Sequence, residues 1–454
     1  MGESYTNKAV VFTRRGSPCK RSTIHSTMKT GFLVALFVTF GGTIGVFAQS
    51  ASVDPTPNPH KVVVTNTMPP QTKIAVPTVR PRVVSDEPES NAQISQPISY
   101  PVAPSPTIDE TNLPQASLSF VEIKSKIAEA KRQLMAKPQL IASEDPNLQT
   151  NFVRIAFMDP RSSQIDFVTL SKDVYLKTGA VNQASSTDGR MMTIRTIRAN
   201  GTNTPIQVVD SNGIAQLPLM VQYPVERGGR YIETAYYMST HPGLVTPEVV
   251  NAGKLYVHNV IEIARDRLKQ KGISIQPGVA DVAERLATVE HVDHDRFRKE
   301  PPKNIFDDIF TLYALNEGQT FRYSVSSAGA GGMVQMIPST YSMIRSRYSN
   351  VGLMPDFVEG MRNHVNATEA MLLYMQMTWN DLASSPTIAD AMTSGIATQK
   401  QLMAAGYNSN PAKLSGYINR GGSSWTSLIP RETQMYLQIY GAVESYVPMA
   451  SRTH

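Results

Sequence analysis

Cysteine is almost absent: the 454 residues hold one, Cys19. A single thiol excludes a disulfide scaffold and a cysteine-ligated metal site within one chain. Net charge is also nearly absent beyond the N-terminus. Residues 1–48 carry Lys8, Arg14, Arg15, Lys20, Arg21 and Lys29 against Glu3, a net +5 of the chain's formal +6. The high pI of about 9.1 is therefore a feature of the N-terminus, and no nucleic-acid partner is expected. Residues 49–114 lack glycine altogether and have one aromatic, Tyr100, beside 13 prolines. Such a stretch cannot bury enough apolar surface to fold.

Phe32 to Val46 is an apolar run of fifteen residues without a charge. It is short for a membrane span and suits a signal-peptide core. Val46-Phe47-Ala48 places small residues two positions apart, which fits cleavage after Ala48. Met28-Lys29 opens a stretch that forms a complete signal peptide by itself, so translation starting at Met28 is one reading. A cleaved signal and an uncleaved anchor over residues 31–48 both remain open, and membrane contact is expected only through this segment. Either way the rest is expected to be exported, to the periplasm or cell envelope. Residues 49–116 then read as a Pro-rich, disordered tether. In extended polyproline form, at about 3.1 Å per residue, it reaches up to roughly 200 Å.

The remainder reads as an α+β chain. Residues 117–245 form a helix followed by a small β-rich domain. Residues 117–137 have a helical period, and five to seven strands follow, marked by alternation at Ile165, Phe167 and Thr169 and at Met192, Ile194 and Thr196. Ser211-Asn212-Gly213 marks a turn. From Thr246, an N-cap followed by Pro247 and Glu248, the pattern is helical to residue 448. One helix should end near Lys271 before Gly272, and a second should run from Val279 to Phe297.

Chemistry is concentrated in residues 304–341. Phe306, Phe310 and Tyr313 share one helix face, and four further residues lead to Glu317. A carboxyl on an apolar wall loses solvation, holds its proton, and can serve as a general acid. The competing reading is an exposed residue at a helix end beside Gly318. Ser326 to Gly332 is a loop of small residues, followed by Met333-Val334-Gln335-Met336 and Pro338-Ser339-Thr340. The loop has no Gly-Lys-Ser/Thr, which argues against a phosphate cradle. His291, Asp293 and His294 have metal-like spacing but lie at the polar end of a charged helix, so no metal is expected.

The stretch resembles the soluble lytic transglycosylase (SLT) domain, a lysozyme-like family that cleaves peptidoglycan. That family has a helix ending in Glu-Ser, then S-x-A-G-A-x-G-L-M-Q-x-x-P-x-T. Ser326, Ala328, Gly329, Ala330, Gly332, Gln335, Pro338 and Thr340 match position by position. His364-Val365-Asn366-Ala367 resembles the family's middle helix. Ala404-Ala405-Gly406-Tyr407-Asn408 resembles its A-Y-N motif, and Pro430 to Tyr436 its closing P-x-E-T-x-x-Y. The resemblance covers about a third of the chain. It departs at Gly318, where the family has serine, and in the long stretch between Gln335 and Tyr407.

The resemblance implies an all-α, lysozyme-like catalytic domain over 246–448. It implies a cofactor-free lyase that cuts between N-acetylmuramic acid and N-acetylglucosamine. Glu317 would protonate the glycosidic oxygen and then accept the C6 hydroxyl proton, closing a 1,6-anhydro ring. Ser326, Gly332, Met333, Gln335, Tyr407 and Asn408 would contact the glycan strand. Glu432 is expected to be a structural hydrogen-bonding residue. Two other readings stay open: a non-catalytic wall-binding or assembly protein on the same fold, and a hydrolytic muramidase. A protein partner from an envelope machine is expected, if anywhere, on residues 117–245.

Overall fold

In a computed structural model, residues 118–136, 148–227, 229–238 and 240–453 are described. The segments expected to be a signal and a tether lie outside the described residues. Among the described residues no helix is long and apolar enough to cross a membrane.

The chain is α+β. Helix α1 (Phe120–Ala136) precedes strands β1 (Phe152–Met158) and β2 (Ile165–Ser171) and the single-turn α2 (Lys172–Tyr175). Strands β3 (Val181–Ser185), β4 (Met191–Thr196), β5 (Ile206–Asp210), β6 (Ala215–Arg227) and β7 (Arg230–Tyr237) follow. The order is β2-β1-β6-β5-β4-β3, with β7 also paired to β6. All pairings are antiparallel. The long β6 makes this possible: its start pairs with β5, its middle with β1 and its end with β7. Pro218 sits beside the register shift between Ala156 and Phe157, where the ladder is interrupted and a missing N–H costs little. The Thr187 N–H donates to the Phe167 carbonyl at 2.9 Å, drawing the β3–β4 turn toward β2.

Strand β1 is buried on both faces. Val153, Ile155 and Phe157 point into the inner core with Val168, Met192 and Ile194. Ala156 and Met158 point the other way, into a second core with α1 and the helices described next. That second core joins the β unit to the helical unit.

The helical unit contains α3 (Pro247–Gln270), α4 (Pro277–Val289), α5 (His294–Lys299), α6 (Pro302–Asn316), α7 (Pro338–Arg347) and α8 (Phe357–Arg362). It closes with α9 (His364–Ala383), α10 (Pro386–Thr393), α11 (Gln399–Asn408), α12 (Leu414–Gly421) and α13 (Arg431–Tyr446). Thr246 caps α3 as expected, its hydroxyl accepting from the Val249 N–H at 3.3 Å. Phe306, Phe310 and Tyr313 are fully buried on the inner face of α6. Met371 and Met375 are core residues of α9.

One expected helix is two. The pattern over Val279–Phe297 predicts a continuous helix, but α4 stops at Val289. Asp293 then caps α5, its carboxylate accepting from the N–H groups of Asp295 and Arg296 at 2.8 and 3.0 Å. An aspartate that can bond the backbone locally ends one helix and starts the next. This break leaves Glu290 at the C-terminal end of α4.

Candidate active site

The motif residues converge on one cleft of about 320 Å³ between the 326–337 loop and the end of α11. Ser326, Ala328, Ala330, Gln335 and Thr340 line one wall, with Tyr407 and Asn408 opposite. The loop holds itself in place. The Ser326 hydroxyl accepts from the Ala330 N–H at 3.0 Å, and Gln335 Nε2 donates to the Gly332 carbonyl at 2.8 Å and to Ser324 Oγ at 3.2 Å. Gly332 has φ +67°, and a Cβ there would lie 2.3 Å from the Met361 carbonyl oxygen. The tight turn and the close backbone approach both need glycine.

The Tyr407 hydroxyl donates to the Val334 carbonyl at 2.6 Å, fixing α11 to the loop. Burial raises its pKa well above the ordinary phenol value, so it remains a neutral donor. Asn408 Oδ1 accepts from the Thr433 hydroxyl at 2.8 Å, which ties α11 to the first turn of α13.

Three expectations are corrected by this geometry. Glu317 is not in the cleft. Helix α6 ends at Asn316, whose side chain is clamped by the Met238 backbone: Oδ1 accepts at 2.8 Å and Nδ2 donates at 3.0 Å. The next residue leaves helical geometry with φ +47°, so the four-residue step from Tyr313 no longer predicts its direction. The Glu317 side chain is 53% exposed and pairs with Lys124 of α1. Gly318 beside it lines neither this cleft nor the larger cavity described below, so the missing serine there has no bearing on the cleft. Gly332 and Met333 also do not line the cleft. Met333 is wholly buried, and Gly332 is packed on the Met361 backbone. Both shape the loop from behind.

Two carboxyls do line the cleft, Glu290 and Glu432, and the desolvated one is Glu290. Three features position it. It ends α4, so its N–H still bonds the Leu286 carbonyl at 3.0 Å. The preceding turn is fixed by the Tyr313 hydroxyl, which donates to the Ala287 carbonyl at 2.8 Å. Its side chain accepts from the Tyr436 hydroxyl at 2.5 Å. Desolvation pushes the Glu290 pKa up to about 8; the Tyr436 hydrogen bond opposes this, and the charge of Glu432 adds to it. The negative end of a helix dipole acts in the same sense as the desolvation. The sequence pattern gave no sign of Glu290 because the expected helix ran through it. Asp293, a cap residue within that helix, was the available signal.

Glu432 is exposed and lines the same cleft. His291, next to Glu290, faces inward: its ring stacks on Phe321 at 3.4 Å between centroids, and Nε2 is 3.0 Å from the Met333 carbonyl. Burial lowers its pKa to about 3, so the ring is neutral and Nε2–H is the donor. Among the described residues no cluster of His, Cys, Asp and Glu could hold a metal ion.

Glu290 also lines a larger cavity of about 640 Å³ between the β unit and the helical unit. The residues that close it on the β side include Arg198 to Asn203, Lys172, Tyr223 and Glu226.

No protein-family model matches the chain, and no curated protein and no solved structure is significantly similar to it.

Proposed function

We propose that the protein is a peptidoglycan lytic transglycosylase with a lysozyme-like helical unit, and that Glu290 rather than Glu317 is its general acid and base. One observation carries this reading. The cleft that gathers Ser326, Gln335, Tyr407 and Asn408 contains a desolvated carboxyl at a helix end, and it is Glu290. In the SLT pattern this makes His291, not Gly318, the residue in the serine position.

A carboxyl that keeps its proton near neutral pH can donate it to a glycosidic oxygen. The resulting carboxylate accepts a hydrogen bond from Tyr436 and can take the C6 hydroxyl proton as the 1,6-anhydro ring closes. Gln335, Asn408 and the loop carbonyls offer hydrogen bonds to N-acetyl and hydroxyl groups. Such a substrate fits the exported location that the N-terminal segment suggests.

A hydrolytic muramidase is the second reading, and Glu432 favours it. Two carboxyls on one cleft are the equipment of a water-using glycosidase. The products decide. Full-length protein in detergent is incubated with purified sacculi, and the soluble fragments are weighed by mass spectrometry. Anhydro-ended fragments are expected. Reducing-ended fragments, one water heavier, would replace the lyase with a hydrolase, and no fragments at all would favour a non-catalytic wall-binding protein.

The pH profile provides a second check. Glu290 must be protonated to act as an acid, so the rate is expected to fall as pH rises through about 8. The Tyr436 hydroxyl stabilises the charged carboxylate and so lowers the Glu290 pKa. Tyr436→Phe therefore moves the falling limb to higher pH, measured as clearance of a sacculus suspension. A limb that stays fixed or moves down removes Glu290 from the role.

A further inference from the structure

The two cavities meet at the acid. Glu290 lines both. A second link lies beside it: Ser324 lines the larger cavity, Gln335 lines the smaller, and Gln335 Nε2 donates to Ser324 Oγ at 3.2 Å. A carboxyl that cuts within a polymer needs sugars on both sides of the bond it protonates. Volumes of about 320 and 640 Å³ both lie in the range of small-molecule sites, roughly 300–1,000 Å³.

The larger cavity depends on the β unit. The segment after β4, Arg198 to Asn203, forms its outer wall. Within that wall Arg198 stands out. It is partly buried, yet among the described residues it has no hydrogen bond and no ion pair. Its neighbour Arg296 is fully engaged, with Glu300 at 2.6 Å and Asp308 at 2.7 Å. Asp293 is a third acid that acts on Arg198, and it caps the N-terminus of α5; Glu226 and Glu290 line the same cavity. The acids around Arg198 thus act on its charge from a distance but give it no acceptor. Burial lowers its pKa from the ordinary guanidinium value, and Arg296 adds to that, while Asp293, Glu300 and Asp308 oppose it. Asn203 Oδ1, on the same wall, is buried without a hydrogen-bond partner. A partly desolvated guanidinium with unused donors favours a planar anion that accepts two hydrogen bonds.

We propose that the larger cavity is the second half of the glycan groove, that the β unit closes it, and that Arg198 binds a carboxylate on the lactyl-peptide substituent of the strand. The inference rests on the proposed function and deepens it. It gives the β unit a role in holding substrate, where the sequence suggests only a surface for a protein partner. The carboxylate has two sources, the lactyl group itself or the stem peptide attached to it.

The test uses full-length protein carrying Glu290→Gln, so that ligands stay intact, with and without Arg198→Ala. Three probes of matched length are titrated calorimetrically. They are a neutral N-acetylglucosamine oligosaccharide, a peptidoglycan oligosaccharide stripped of peptides so that its lactyl carboxylates are free, and the same oligosaccharide with its stem peptides. Arg198→Ala is expected to weaken carboxylate-bearing probes by about tenfold or more, the loss typical of one charge-assisted contact, and the neutral probe by less than about twofold. Weakening of the stripped probe assigns the lactyl carboxylate; weakening of the stem-bearing probe alone assigns the peptide. Arg198→Gln, which keeps the length and loses the charge, must reproduce the loss if Arg198→Ala fails to fold.

Equal weakening of all three probes, or of none, overturns the inference. So does binding of no probe by a protein whose parent still releases fragments from sacculi. If instead the parent releases no fragments and no probe binds, the proposed function itself has failed.

Discussion

Glu290→Gln is expected to lower the release of soluble fragments from sacculi by about a hundredfold to ten-thousandfold, the usual contribution of a positioned general acid. Glutamine keeps the volume and can still accept from Tyr436, but it has no proton to give. Glu317→Gln is expected to retain most of the activity, because Glu317 is half exposed, pairs with Lys124 and lines neither cavity. The pair of variants separates the position that the sequence motif supplies, Glu317, from the one that lines the cleft, Glu290. Fragment release is quantified by mass spectrometry over time, with thermal unfolding run alongside to show that both variants fold. An inactive Glu317→Gln beside an active Glu290→Gln would return the acid to Glu317 and leave the cleft described here without a catalyst.

The second large effect is on stability. Gly253 lies in α3 where that helix crosses α6, and a Cβ there would sit 1.9 Å from the Phe310 carbonyl oxygen. The obstructing atoms are backbone, so no rotamer change relieves them and the two helices must separate. Alanine has the better helix propensity by about 1 kcal/mol, but the overlap reverses the sign. Gly253→Ala is expected to cost at least about 3 kcal/mol, a fall in Tm of several degrees for a unit of this size. Gly441→Ala in α13 is the control. Its Cβ meets nothing within 4 Å, so there the propensity term alone acts and a small gain of about 0.5–1 kcal/mol is expected. Circular dichroism melts of the two variants and the parent decide the matter. A Gly253→Ala protein that melts with the parent would mean that α3 and α6 do not approach as closely as the structure places them.

Much of the local structure could be read in the sequence because its signals are local. Thr246 before Pro247, the Ser211-Asn212-Gly213 turn and the alternation over β2 and β4 act within a few residues, and each element formed where expected. Strand β1 carried no alternation to read. Its residues are buried on both faces, so Phe152–Met158, apolar apart from Arg154, lacks a period of two. The motif residues Ser326, Gln335, Tyr407 and Asn408 were legible for a different reason. They form one constellation from two distant segments, and their type and order survive in the sequence even when their distances do not.

The desolvated carboxyl of the cleft was not legible in the same way. Extending the face of α6 to Glu317 assumes that the helix continues, and it ends one residue short because Asn316 is held by the Met238 backbone of the β unit. Reading residues 279–297 as one helix hid Glu290 in its interior, while the fold breaks that helix at Asp293 and leaves the carboxyl at an end. The sequence alone determined that this is an α+β chain with a charged, apolar N-terminal segment, a proline-rich stretch and a loop of small residues suited to a cleft. Only the tertiary structure decided which glutamate is desolvated in that cleft and that the β unit walls the cavity beside it. Desolvation and convergence are sums over residues far apart in the chain, and no local pattern records them.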